Sequence, residues 1–320
     1  MTQTRPIGTT GLSTLPLVLG GNVFGWTASG ETAFAVLDAF VAGGGTLIDT
    51  ADFYSAWIEG HKGGESEQAI GAWLARRGRR DDVQIATKVG MLDGEGGNGL
   101  APARIVAAAE ASLKRLGTDY IDLYYAHQDD ESQPQEAVLE AFDRLVKAGK
   151  VRAIAASNFT ADRLGRALDI SEATGIARYG ALQPHFNLLE RGGFPPALQQ
   201  LCIDRKLGVL PYFGLASGFL TGKYRSEADL AGKPRGGGVR SYLNARGFAV
   251  LAAMDAVAAD TGASLPQIAL AWIAAQPGIT APIASATSVP QVEELLGATR
   301  LTLTPDHLAS LDEAGGDIPA

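Results

Sequence analysis

The chain has 320 residues, 46% of them hydrophobic, and a formal net charge of -8 at pH 7. That apolar content is enough for a large core in one domain or two, and the acidic balance gives no support to a nucleic-acid partner. The single cysteine, Cys202, rules out an intrachain disulfide, and no long apolar segment resembling a signal peptide or a membrane span opens the chain, so a cytoplasmic address with no membrane partner is expected.

In chain order, residues 5–15, RPIGTTGLSTL, read as a short hairpin turning near Thr10 and Gly11. Apolar runs and amphipathic stretches then alternate. The runs are LPLVLG (15–20), TLIDT (46–50), VQIATK (83–88), IDLYYA (121–126), VRAIAAS (151–157), ALQPH (181–185), GVLPYF (208–213) and APIAS (281–285). Helices are predicted at 32–42, 66–77, 102–116, 134–148, 161–174, 196–206, 248–261 and 289–297, several closed by glycine, as at 43–45, Gly78, Gly117 and Gly149. The basic stretch from Arg76 to Arg80 falls at a helix end, where positive charge suits the helix dipole. Eight strand–helix units predict an α/β protein, one (β/α)8 TIM barrel over residues 1–320, with the hairpin capping its bottom. The runs are apolar nearly throughout, as expected where helices cover the outside and packed layers fill the inside. A doubly wound sheet is the rival arrangement and differs by a topological switch point. The longest loop-like segment, 225–247, follows the seventh run and so lies at the top, where barrel enzymes carry their active sites.

Three strand ends carry chemistry. The second run ends on Asp49, with Tyr54 in the loop that follows; the third ends on Lys88; the fourth ends on His127. Consecutive strands are neighbours, so a carboxylate, a phenol, an ammonium and an imidazole meet at one mouth. A free tyrosine, with a pKa of about 10, is a poor acid at neutral pH. A cationic lysine beside it is expected to lower that pKa, and Asp49 is expected to keep the buried lysine charged. His127 would orient a carbonyl oxygen through a ring nitrogen. The set makes a proton donor aimed at an oxygen that gains negative charge, which is half of a carbonyl reduction.

IDTADFY, IATKVG, DLYYAH, ASNF, PYFGLASGFLTGKY and PIASATSVPQVEELL resemble, in order and spacing, successive signatures of the aldo-keto reductase family, over about residues 15–301. The likeness is to bacterial members and to the branch that includes potassium-channel beta subunits. The resemblance implies that Asp49, Tyr54, Lys88 and His127 are the catalytic tetrad. It implies reduction of aldehyde or ketone carbonyls to alcohols, reversibly, with an extended nicotinamide cofactor across the barrel mouth, NADPH first and NADH second. It also implies that Ser157 and Asn158 hold the nicotinamide carboxamide with Gln183 beside them, and that Tyr212 stacks on the ring. The backbone from Leu215 through Ser217 to Gly218 would meet the pyrophosphate, with Lys223 nearby, and Ser285, Thr287, Ser288, Gln291 and Glu294 would hold the adenosine end. Each has a plainer alternative: Asn158 as a helix cap near Thr160, Tyr212 as core, Gln183 as a satisfied buried amide, Asp49 with Lys88 as a structural ion pair. The chain departs from the family where Thr287 and Ser288 stand in the place of a 2′-phosphate-gripping cation and Leu295 in the place of an asparagine; Arg235 or Arg240 would then supply the charge from the long top loop.

Phe24 and Trp26 after the first run, Trp57 after Tyr54, and Gln128 after His127 are the expected walls of a pocket for a small-molecule carbonyl with an apolar or aromatic group; the same aromatics would otherwise pack beneath a loop. His185 is a further candidate for that lining, while His61 and His307 carry no such signal. GEGGNG at 94–99 matches G-x-G-x-x-G but neither follows a strand directly nor opens a helix. His127, Asp129 and Asp130 lack a metal-binding spacing, which makes a metal-dependent hydrolase a remote reading. The rival from another class is a nicotinamide-binding regulatory subunit with little turnover. Oligomeric state is left open.

Overall fold

The computed structural model describes residues 3–230 and 236–316. The hairpin is formed by β1 (Arg5–Pro6) and β2 (Ser13–Thr14), paired antiparallel. Eight parallel strands follow: β3 (Val18–Gly20), β4 (Leu47–Asp49), β5 (Gln84–Val89), β6 (Ile121–Ala126), β7 (Val151–Ser157), β8 (Tyr179–Gln183), β9 (Gly208–Val209) and β10 (Ile283–Ala284). They run in the order β10-β3-β4-β5-β6-β7-β8-β9. The ends meet: Val209 bridges Ile279 in parallel, Thr280 N–H donates to Val209 O at 2.9 Å and Ile283 N–H to Pro211 O at 2.8 Å. The sheet is therefore a (β/α)8 barrel.

Helices α1 (Gly30–Ala42), α2 (Glu65–Arg77), α3 (Pro102–Leu116), α4 (Gln135–Lys147), α5 (Ala161–Thr174) and α6 (Pro196–Asp204) cover the first six strands. Their ends follow local chemistry. Pro102 starts α3 and Gly117, in the left-handed region, stops it, while Thr160 caps α5 by accepting from Arg163 N–H. Beyond β9 come the short α7 (Gly236–Val239), α8 (Ala245–Thr261), α9 (Leu265–Ala275), α10 (Val289–Gly297) and α11 (Pro305–Gly315). Here the outcome differs from the sequence expectation. The helix that takes the ring position after β9 is α9, which packs on α10, which in turn packs on α1. The expected helix near 248–261 exists as α8 but packs outward against α11. Residues 265–275, LPQIALAWIAA, are apolar on nearly every side and lack the stripe that marks a surface helix. The sixth strand also begins earlier than expected and stops at Gln183, because Pro184 offers no N–H to the ladder.

The barrel interior is a second apolar layer, distinct from the sheet–helix core. It holds Leu47, Ala86, Leu123, Tyr125, Ala155 and Ala181, and Ile7 of the hairpin closes it from below. The hairpin lies tight on the strand starts: at Gly8, with φ +51°, a Cβ would stand 2.2 Å from Gly208 N and 2.3 Å from Gly180 O, so only glycine fits there. No single helix among the described residues is long and apolar enough to cross a membrane.

Side chains alternate along a strand, so the residue two places past an interior apolar one also faces inward. Leu47 leads to Asp49, Ala86 to Lys88, Ala155 to Ser157 and Ala181 to Gln183, while Leu123 and Tyr125 lead to His127. The register aligns these steps across neighbouring strands, with Asp49 opposite Ala86, Lys88 opposite Tyr125 and Ser157 opposite Gln183. An apolar plug thus carries a polar layer at its upper end.

Candidate active site

Lys88 is the hub of that layer. Its Nζ donates to Asp49 Oδ2 at 2.6 Å, to Thr50 O at 2.8 Å and to the Tyr54 hydroxyl at 2.9 Å, so all its protons are engaged. Tyr54 in turn donates to Asp49 Oδ2 at 3.2 Å. Lys88 and Asp49 are both buried. Burial pulls the Lys88 ammonium below its ordinary value, opposed by the charges of Asp49, Asp52 and Glu67. The Tyr54 phenol moves the other way from the sequence expectation. Burial, then the charge and hydrogen bond of Asp49, hold it well above 10, because taking a phenolate out of water and placing it beside a carboxylate outweighs the lysine. His127 is held well below 6.5 by burial and then by Lys88, so its imidazole is neutral. Its ring centroid lies 6.0 Å from that of Tyr54, and its Nδ1 is buried without a hydrogen-bond partner.

A second network ties the opposite strands to this hub. Gln183 Nε2 donates to Asp49 Oδ1 at 2.9 Å. One of the two N–H groups of its amide is thereby engaged by the carboxylate. Ser157 Oγ donates to Gln183 O at 2.8 Å. Asn158 is left-handed, at φ 56°, a conformation asparagine tolerates. It does not cap α5. Its Nδ2 donates to His127 O at 2.9 Å and to Ser157 Oγ at 3.1 Å, and its Oδ1 accepts from the Tyr212 hydroxyl at 2.8 Å. Tyr212 is half-buried, with one ring face stacked on His185 at 5.1 Å.

Past Tyr212 the backbone turns left-handed at Phe213 (56°), Ala216 (47°), Ser217 (56°) and Gly218 (97°), and returns at Leu215. Non-glycine residues in that region cost roughly 1–3 kcal/mol each, a strain that clusters at ligand sites. Within the turn the Ala216 N–H closes on Phe213 O and the Gly218 N–H on Leu215 O, each at 2.8 Å, so its shape is held by its own backbone. Lys223 Nζ comes within 3.6 Å of the place a Gly218 Cβ would take, and Gly238 lies over Ser217. At the far end Thr287 N–H donates to Gln291 Oε1 at 2.8 Å, and Ser288 precedes α10 without using its hydroxyl as a cap. Ser285 Oγ donates to Asn22 Oδ1 at 2.6 Å, and Glu294 is half-buried with its carbonyl accepting from Gln267. Arg240 is exposed; Arg235 lies outside the described residues.

The aromatic wall is partly as expected. Trp57 is 43% exposed and stands edge-on to both Trp26 (6.0 Å) and Tyr54 (6.1 Å). Gln128 is exposed beside His127. Phe24 is not a wall residue. It is fully buried in the sheet–helix core, under a loop pinned by Ser55 Oγ donating to Phe24 O at 3.2 Å. Phe53 takes a place the sequence did not mark, 5.7 Å from Trp57 and 6.5 Å from His127. Only its position beside Tyr54 hinted at this. Thr50, which holds Lys88 through a backbone carbonyl, has no side-chain signal at all. Cys202 is buried, its thiol pushed up to about 12 by burial, and has no nucleophilic character. No group of His, Cys, Asp and Glu side chains suited to a metal ion occurs among the described residues.

The Aldo/keto reductase family model matches residues 16–315. The chain is 33% identical to the uncharacterized oxidoreductase YrpG of Bacillus subtilis (strain 168), over 98% of this chain and 97% of that one. It is 34% identical to the aldo-keto reductase YhdN of the same organism, over 90% of this chain and 84% of the relative. Aldo-keto reductase yakc [NADP(+)] of Schizosaccharomyces pombe (strain 972 / ATCC 24843) is 30% identical, over 97% and 91%.

Proposed function

The chain belongs to the aldo/keto reductase family of nicotinamide-using oxidoreductases, and from that premise we propose that it reduces aldehyde or ketone carbonyls to alcohols, reversibly, with Tyr54 as proton donor. One observation carries the reading: the Tyr54 hydroxyl accepts from Lys88 at 2.9 Å while donating to Asp49, beside a neutral imidazole at the open end of the barrel.

A raised phenol pKa suits this role. Tyr54 stays protonated at working pH and is a donor in waiting. In reduction its O–H turns from Asp49 Oδ2 toward the carbonyl oxygen, which His127 orients from the other side. As the proton leaves, the Lys88 N–H already on the phenolic oxygen stabilises the phenolate, and Asp49 keeps that ammonium charged. A bound reduced nicotinamide would supply hydride to the carbonyl carbon, so carbon gains hydride, oxygen gains the Tyr54 proton, and an alcohol results. In oxidation Tyr54 accepts the proton.

The residues present fit such a cofactor. Tyr212 offers a half-buried ring, Asn158, Ser157 and Gln183 form a polar network beside it, and the left-handed turn at Ala216 to Gly218 with Lys223 suits a pyrophosphate. Thr287, Ser288 and Gln291 would meet the adenosine end. We place NADPH first, in line with the name of the yeast relative, and NADH second, because hydroxyls grip phosphate without charge assistance. Trp57, Trp26 and Phe53 favour a carbonyl carrying an apolar or aromatic group.

The test is turnover. Purified protein given NADPH or NADH with a panel of aldehydes and ketones should consume cofactor. Cofactor binding without consumption of any pair would count against the reading.

A further inference from the structure

The loop after β4 carries Tyr54, and the loop after β5 forms the next part of the mouth. A buried ion pair joins them. Asp52 has no exposed surface, and its Oδ2 accepts from Arg104 Nη2 at 3.1 Å. Arg104, in the first turn of α3, also donates to Leu92 O at 3.0 Å and Glu95 O at 3.4 Å, both in the neighbouring loop. The Asp52 N–H is tied to Lys88 O at 3.3 Å. One guanidinium thus reaches from a carboxylate two residues before Tyr54 to the backbone of residues 92–95. The neighbouring Phe53 amide also faces this buried carboxylate, so its charge is answered by the Arg104 ion pair and one adjacent N–H in place of water.

We propose that Asp52 is a positioning residue for Tyr54: through Arg104 it locks the Tyr54 loop to residues 90–100, and the lock opens when Asp52 is neutral. This rests on the carbonyl-reductase reading of Tyr54. Around Asp52 stand Lys88 of β5, Glu67 of α2, Arg104 and Arg115 of α3, Tyr124 of β6 and the Phe53 amide. Glu67 is already held by Thr87 and Arg115, each at 2.6 Å, and Tyr124 donates to Ile105 O, so Arg104 is left to answer Asp52. Burial first, then Glu67, raise the Asp52 carboxyl against Arg104, Arg115 and the Phe53 amide, to about 7. The pair therefore makes and breaks in the neutral range.

The test is kcat for reduction, at saturating cofactor and substrate, as a function of pH. The wild-type rate should fall as pH drops through about 7, by up to roughly 10²-fold, the cost of a 1 Å misplacement. Asp52→Asn should lose the bend and stay on the low plateau at every pH, and Asp52→Glu should restore a bend. Arg104→Gln removes the guanidinium that joins the two loops and should, like Asp52→Asn, lose the bend and stay on the low plateau. A wild-type bend retained in Asp52→Asn or in Arg104→Gln would overturn the proposal. Hydrogen exchange over residues 90–100, corrected for the chemical rate, reads the lock without turnover. Protection should be greater above the bend in the wild type and independent of pH in Asp52→Asn. The same pH dependence in both proteins would overturn the lock. Absent turnover with the expected exchange pattern would strike the reductase reading and not the lock.

Discussion

Gln183 on β8 donates to Asp49 on β4 at 2.9 Å, across the barrel mouth. The contact engages Oδ1 and leaves Oδ2 to Lys88 and Tyr54, so the carboxylate that holds the lysine is itself held. Gln183→Leu keeps the volume near but leaves Asp49 Oδ1 buried without its donor. Stability should fall by about 1–3 kcal/mol, read by chemical denaturation. Single-turnover reduction should slow as Asp49 loses its orientation. An unchanged denaturation midpoint would mean that another group satisfies Asp49.

Phe24 and Trp57 separate core from pocket. Phe24→Ala empties a fully buried site and should cost about 3–5 kcal/mol. Trp57→Ala, at a half-exposed ring, should leave the melting temperature nearly unchanged and raise KM for aryl aldehydes more than for short aliphatic ones. The reverse pattern would return Phe24 to the pocket.

The Asp52 carboxyl sits at about 7 in the fold against 3.8 as a free group. The folded state holds this proton more tightly than the unfolded chain does. Its contribution to stability is complete below about 3.8 and is lost as pH rises through about 7. Asp52→Asn has no such titration. The stability of the wild type relative to Asp52→Asn should therefore rise as pH falls across that window, in denaturant titrations at stepped pH. A difference independent of pH would contradict the shifted carboxyl. Protonation thus loosens one loop contact while it relieves the fold of a buried charge.

At the other end of the barrel, Asp122 accepts from Arg80 and Arg152, each at 2.9 Å, and from Ile85 N–H at 2.8 Å, while both guanidinium groups lie over Tyr120. Asp122→Asn weakens charge-assisted bonds at a buried acceptor and should cost about 1.5–3 kcal/mol. Its place in the lower half of β6 predicts an unchanged single-turnover rate in the folded variant. A large rate loss there would mean that this cluster and the mouth are coupled.

Much of the barrel was legible because its strands are short, apolar and bounded by glycine or by a polar residue in step with the interior. The period of two that places Ala86 inside also places Lys88 above it. What was not legible depended on distance and burial. Arg104 meets Asp52 across 52 positions, and neither has a local motif. The sequence shows that Tyr54, Lys88 and Asp49 converge. It does not show how completely water is removed from them, and that removal sets the direction of the Tyr54 shift. The helix at 265–275 hid for a related reason: an element buried on most sides has no polar face to set its period.

The central claim is that the Tyr54 hydroxyl delivers the proton. Tyr54→Phe removes that oxygen alone and keeps the ring against Trp57 and His127. The most direct measurement is single-turnover hydride transfer to an aldehyde in wild type and Tyr54→Phe, at saturating cofactor, with cofactor affinity measured in parallel. Affinity should be retained and the transfer rate should fall by at least roughly 10²–10⁴-fold, the scale of general acid catalysis. A folded Tyr54→Phe protein that binds cofactor and transfers hydride at nearly the wild-type rate would contradict the claim.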